Sequence, residues 1–173
     1  MSAYIDTNII VAKYVPTDPY HARSKAFLES VGSKKVVSPL TVVELMAVTC
    51  RQEEALQAPK EILKEPVRKR TRAIVEFFLR DSNLTLISIQ ASARMKIARS
   101  IVTVPLEYAT SLRLATSLKL KTTDLMHLAY AENFRSSGEE LDSFITTDAG
   151  ILRKSDDIQK LLKIKAKQPP QAT

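Results

Sequence analysis

Four acids in this chain keep company that does not suit a charge. Asp6 lies within Ala3-Tyr-Ile-Asp-Thr-Asn-Ile-Ile-Val11, and Glu44 within Thr41-Val-Val-Glu-Leu. Asp124 lies within Thr122-Thr-Asp-Leu-Met-His-Leu, and Asp148 ends Phe144-Ile-Thr-Thr-Asp. A carboxylate at the mouth of an apolar core is costly unless it is paired, protonated or bound to a cation. Each acid alone has an ordinary explanation: a helix cap for Asp6 and Asp148, a solvated helix residue for Glu44, a first-turn residue complementing the helix dipole for Asp124. Four bare carboxylates at one sheet edge would repel, and a divalent cation relieves that repulsion. Oxygen donors select Mg²⁺ or Mn²⁺. Two histidines and one cysteine are too few to suggest a zinc site.

The elements that must position these acids alternate strand and helix. A strand near 3–6 feeds a helix near 7–14. His21 to Val31 reads as an amphipathic helix with Ala22, Ala26 and Phe27 inward, ended by Gly32. A short strand at 35–38 precedes a helix opened by Pro39, whose missing N–H costs little in a first turn. That helix runs to about Leu56 and is expected to bury Leu40, Val43, Ala47 and Cys50. Helices follow at 67–81 and 90–102, with a strand at 84–89 between them. Pro105 opens a helix to about Lys119, with Leu106, Ala109, Leu112 and Leu118 inward. Another helix, capped by Thr122 or Thr123, runs to about Phe134. A last strand at 142–146 leads into a short helix begun by Asp148. Such alternation implies a parallel sheet covered by helices, with sites at the carboxyl ends of the strands. Asp6 and Asp148 fall at such ends.

The chain has 173 residues, which suits one domain able to bury its own core. We expect a single domain over 1–160. The segment 161–173 turns basic and then proline-containing, and its end is expected to be disordered. No apolar run is long enough to span a membrane, and Asp6 interrupts the first apolar stretch, against a signal peptide. The lone Cys50 fits a reducing compartment. These features make a cytoplasmic location the expectation, with no membrane partner. The net charge of +7 points toward a polyanion such as nucleic acid. Arg68, Lys69, Arg70 and Arg72, on one helix, are candidate contacts to an RNA backbone or, equally, a solvated face. His127 shares a helix face with Asp124 three residues earlier. Amid apolar neighbours it reads as a packed residue, as does His21.

These segments, in this order and spacing, resemble the PIN-domain nucleases, and within them the VapC-type toxin ribonucleases of toxin–antitoxin pairs. The resemblance covers about residues 3–155. It implies a three-layer α/β/α sandwich around a central parallel sheet of about four or five strands. It also implies acids that bind Mg²⁺ or Mn²⁺ and cleave RNA. The family's four acids fall on Asp6, Glu44, Asp124 and Asp148, as metal ligands and catalytic residues. Its supporting polar residues fall on Asn8 and Thr146. A cognate antitoxin protein and a homodimer are implied as well. The chain departs from the compact pattern at 51–104, which is long and basic.

The expected chemistry is hydrolysis of RNA phosphodiester bonds by a metal-activated water, with Asp6, Glu44 and Asp124 as the ligand core and Asp148 joining directly or through water. Which acid takes the water's proton stays open at this level. The alternative is a PIN-like module that binds RNA or protein without cleaving. A phosphotransferase would want a second acid two residues after its nucleophile, and Asn8 holds that place.

Overall fold

The computed structural model describes residues 2–171. Strand β1 (Ser2–Ile5) runs into α1 (Thr7–Tyr14), and α2 (His21–Glu29) returns to β2 (Lys34–Val37). Next come α3 (Pro39–Gln52), a 3₁₀ turn (Glu53–Ala55), α4 (Lys60–Leu63), α5 (Val67–Asp81) and β3 (Leu84–Leu86). A hairpin of β4 (Ser92–Ile97) and β5 (Ser100–Pro105) precedes α6 (Leu106–Leu118) and α7 (Thr122–Ser136). The chain closes with β6 (Ser143–Ile145), α8 (Ala149–Arg153), α9 (Ser155–Leu162) and β7 (Lys165–Lys167).

Five strands form one sheet in the order β3-β2-β1-β6-β7, and every pair is parallel. The first strand is therefore central, with β2 on one side and β6 on the other. Successive side chains point to opposite faces, so each strand serves two cores. Tyr4, Val36, Phe144 and Ala166 pack with α6, α7, α8 and α9. Ala3, Ile5, Val37 and Ile145 pack with α1, α2, α3 and α5. This is the three-layer α/β/α sandwich, with five strands. Among the described residues, no helix is long and apolar enough to cross a membrane.

The helix expected over 90–102 is instead the antiparallel β4–β5 hairpin, with Met95 opposite Val102 and Ala93 opposite Val104. Ala93, Met95, Val102 and Val104 alternate with exposed residues at period two, and β-branched residues crowd the second half. That favours strands over a helix. The tight turn places Ala98 at φ +54°.

Three helices bury other residues than their sequence suggested. In α2 the buried residues are Ser24 and Leu28, with Ala22 and Ala26 exposed. In α3 they are Thr41, Leu45 and Thr49, while Val43 and Cys50 face outward. In α6 Leu114 and Leu118 are buried with Glu107, and Leu112 is outside. Each helix carries apolar residues on more than one stripe, so the neighbouring layer, not the pattern, chooses the frame.

The chain after α9 adds β7 beside β6, and Arg23 of α2 donates to the Pro169 carbonyl at 2.6 Å. The expected disorder of the tail concerns its end, and residues 172–173 lie outside the described range.

Candidate metal and catalytic site

The carboxyl ends of β1 and β6 deliver Asp6 and, three residues past Ile145, Asp148 to one side of the sheet. Asp6 is the residue before α1, yet its carboxylate makes no capping hydrogen bond to that helix. Its Oδ2 instead accepts from Asn8 Nδ2 at 2.9 Å and Thr146 Oγ1 at 2.6 Å. Asn8 Nδ2 also donates to Thr146 Oγ1, and Asn8 Oδ1 accepts from the Thr147 amide. Asn8 and Thr146 thus tie the two strand ends together and fix the Asp6 carboxylate between them. Asp148 does cap its helix: Oδ1 accepts from the Gly150 amide at 2.6 Å and from the Ile151 amide at 3.1 Å.

Glu44 reaches the same place from the second turn of α3. Ser38 caps that helix, accepting from the Thr41 amide. Glu44 Oε2 lies 2.7 Å from His127 Nε2 and accepts a short hydrogen bond from Thr7 Oγ1. The other ring nitrogen of His127, Nδ1, lies 2.8 Å from the Tyr4 hydroxyl, which donates to Ser38 Oγ at 2.6 Å. Both ring nitrogens of His127 therefore lie within hydrogen-bond distance of a polar partner. His127 is buried as its neighbours predicted. It is also part of the site, which apolar packing alone did not signal. The clue in the sequence is its spacing from Asp124, one turn away on α7.

Asp6, Glu44 and His127 each offer a ligand atom, and these atoms lie within 4.8 Å of one another. Among the described residues, the tightest potential ligand group is thus this triplet rather than Asp6, Glu44 and Asp124. Asp124 and Asp148 line the same open cavity of ≈ 510 Å³, and Asp18 adds a fifth carboxylate to its wall. Of the basic residues, Arg51 reaches this cavity. Arg68, Lys69, Arg70 and Arg72 do not line it; on α5, Arg70 pairs with Glu53 and Arg72 with Glu76.

The electrostatics match the crowding. Burial pushes the Asp6 carboxyl above its ordinary range, with nearby Glu44 adding to the shift against the pull of His127 and Thr146. Burial raises Asp124 too, and the charges of Asp148 and Asp6 raise it further. Burial would also raise Glu44, but the hydrogen bonds from His127 and Thr7 outweigh it and hold that acid low. The protein's own cations leave the negative charge at Asp6 and Asp124 incompletely balanced. A hard divalent cation among oxygen donors would supply that balance, so the donor set fits one.

A model of the PIN domain family matches residues 3–156. Among solved structures, a chain from VapBC2 of Rickettsia felis, bound to a DNA fragment from its promoter, is 14% identical. That similarity covers 97% of this chain and 98% of the other, with a TM-score of 0.52. A chain from VapBC-1 of nontypeable Haemophilus influenzae is 13% identical over 97% of this chain and 98% of that one, with a TM-score of 0.53. At these identities the likeness is one of fold. No curated protein matches the chain.

Proposed function

Since the chain belongs to the PIN-domain family, we propose that it is a metal-dependent endoribonuclease, the toxin of a VapBC-type toxin–antitoxin pair. The observation that carries this reading is the convergence of Asp6, Glu44, Asp124 and Asp148 on one cavity in a protein of net charge +7. Acids of that number in one wall suit a cation, and the basic remainder suits a polyanionic substrate.

Asp6, Glu44, Asp124 and Asp148 would hold Mg²⁺ or Mn²⁺. The ion, when bound, supplies Lewis acidity toward a phosphodiester and its attacking water. The chain's own residues do the positioning. Asn8 and Thr146 fix the Asp6 carboxylate through Oδ2. His127 and Thr7 hold Glu44 in its ionised form. The Gly150 and Ile151 amides lock one oxygen of Asp148. Such outer contacts orient ligands and tune their basicity.

Val11, Ala47 and Val48 form an apolar wall of the same cavity, beside Arg51. That wall suits an antitoxin segment laid across the acids. The structural neighbours, described as VapBC, support such a partner. A homodimer and a cytoplasmic location complete the reading.

The test is cleavage of a defined RNA by wild type and Asp6→Asn, with Mn²⁺ and with EDTA. Wild type should cleave with Mn²⁺ and stop in EDTA. The variant should lose more than the roughly 10–100-fold typical of an outer-shell change. Wild-type cleavage rates in Asp6→Asn would remove the site assignment. RNA binding without cleavage would identify the non-catalytic module instead.

A further inference from the structure

A second cavity of ≈ 440 Å³ adjoins the first and shares Asp124 and Asp148 with it. Its other walls are cationic: Lys119 and Lys121 from the α6–α7 link, Arg153 and Lys154 from the end of α8. We propose that this groove binds the phosphates of an RNA strand that flank the bond being cleaved, a reading that rests on the nuclease function above.

The local fold builds the groove from both sides. Leu118 at the end of α6 is buried, and Lys119 then turns left-handed at φ +54° and ends the helix. Leu120 packs onto the core between the two lysines, which are both exposed. Anchoring the middle residue of the link holds Lys119 and Lys121 at the surface of one short segment. Across the groove, Ile151 is buried and anchors α8 while Arg153 is exposed. The two walls meet where Leu120 approaches Gly150: a Cβ built on that glycine would lie 3.9 Å from Leu120 Cδ2.

Charge selects the occupant. Lys154 lies 3.3 Å from Asp157, whereas Lys119, Lys121 and Arg153 have no ion-pair partner among the described residues. Three cations outside any ion pair among the described residues, lining a groove that leads to two carboxylates, form a polarity step along a continuous surface. A polyanion passing over it would have its backbone held by the cations and one phosphate delivered to the acids. The basic residues of α5 offer no such continuity, since they lie outside both cavities and two of them are already paired. A strand held this way gains affinity by counterion release, sensitive to salt and indifferent to sequence.

The test measures binding of a labelled single-stranded RNA by fluorescence anisotropy across a salt series, in EDTA so that cleavage does not intervene. Lys121→Gln/Arg153→Gln should bind roughly 10–30-fold more weakly at 0.1 M salt. Its salt slope should fall by about 1.4, or about 0.7 for each lost phosphate contact. Lys121→Arg/Arg153→Lys, which keeps the charges, should restore both. Arg68→Gln/Lys69→Gln, which removes equal charge on α5, should change affinity less than threefold. Wild-type affinity and slope in the first variant overturn the groove, as does an equal loss in the α5 variant. The two readings fail separately. Wild type that binds RNA through these cations but leaves it intact in Mn²⁺ overturns the nuclease and keeps the groove. Wild type that cleaves, with a Lys121→Gln/Arg153→Gln variant indistinguishable from it, does the reverse.

Discussion

His127 Nε2 lies 2.7 Å from Glu44 Oε2, so the helix that brings Asp124 to the site also holds the acid brought by α3. The ring is held in turn by the Tyr4 hydroxyl, and Tyr4 is two residues before Asp6 on the central strand. Three elements thus meet through one buried imidazole.

Replacing that imidazole with His127→Ala should loosen Glu44 without removing an acid. Cleavage efficiency should fall roughly 10–100-fold, the range typical of an outer-shell partner. The Tyr4 hydroxyl, fully buried, would lose one partner, and the fold should lose about 1–3 kcal/mol. Steady-state kinetics beside a denaturant titration check both. Unchanged kcat/KM would show that Glu44 keeps its place without the ring.

Asp124→Asn should act in opposite directions on metal-free stability and on the stabilisation that a metal ion provides. Asp124 is raised by burial and by the charges of Asp148 and Asp6, so its ionised form opposes folding when no cation is bound. Neutralising it should raise the metal-free melting temperature. The upward shift produced by Mn²⁺ in wild type should shrink, because a ligand stabilises only as far as it binds the folded state. Thermal melts with EDTA and with Mn²⁺ measure the two effects. A lower metal-free melting point would contradict the repulsion.

Gly150→Ala tests the acid at the end of β6. A Cβ there would stand 2.8 Å from Asp148 Oδ1, the oxygen that accepts from the Gly150 amide. The side chain can rotate away, so the protein should remain folded. The cap would be lost at a cost of about 0.5–2 kcal/mol, and Asp148 would leave its place at the cavity. Activity should drop more than stability. Full activity would mean that Asp148 serves only as a cap.

Away from the site, Lys13 is buried and lies 2.7 Å from Asp81 Oδ2, which also accepts from the Tyr14 hydroxyl at 2.7 Å. Burial alone would raise Asp81, but the hydrogen bonds from Lys13 and Tyr14 outweigh it and hold its pKa below the usual carboxylate value. A lowered folded-state pKa contributes stability above the unfolded value of about 3.9 and loses it as pH falls through the folded one. Asp81→Asn should therefore be less stable than wild type at pH 7. The gap should close from about pH 4 downward. Melting curves from about pH 2 to about pH 7, which span the ordinary carboxylate range, decide it, and a gap independent of pH would discount the ion pair.

Asp6, Asp124 and Asp148 are legible because each stands next to the end or start of an element, which the sequence marks well, whereas Glu44 sits within the second turn of α3. Asp6 follows a run buried at every position, and Thr146 and Asp148 follow another. His127 was harder to read. Between Met126 and Leu128 it looks like packing, and it is packed; its second role depends on Glu44, 83 residues away. The 92–105 hairpin is obscured in the sequence because its alternation is short and sits beside long helices. Helix faces are ambiguous for a related reason. In α3 Thr41, Leu45 and Thr49 turn inward although Val43 is more apolar than either threonine, because the layer above β2 fixes the rotation.

The sheet order has a consequence for how the protein folds. Asp6 follows central β1, yet Thr146, which holds it, lies 140 positions later in the chain. Central β1 pairs with β2 across a short stretch of chain and with β6 across a long one. Contacts of such separation form late, after their loop entropy has been overcome. The acid cluster is incomplete until Asp148 has joined it, so the site can close only after a pairing that spans most of the fold has formed.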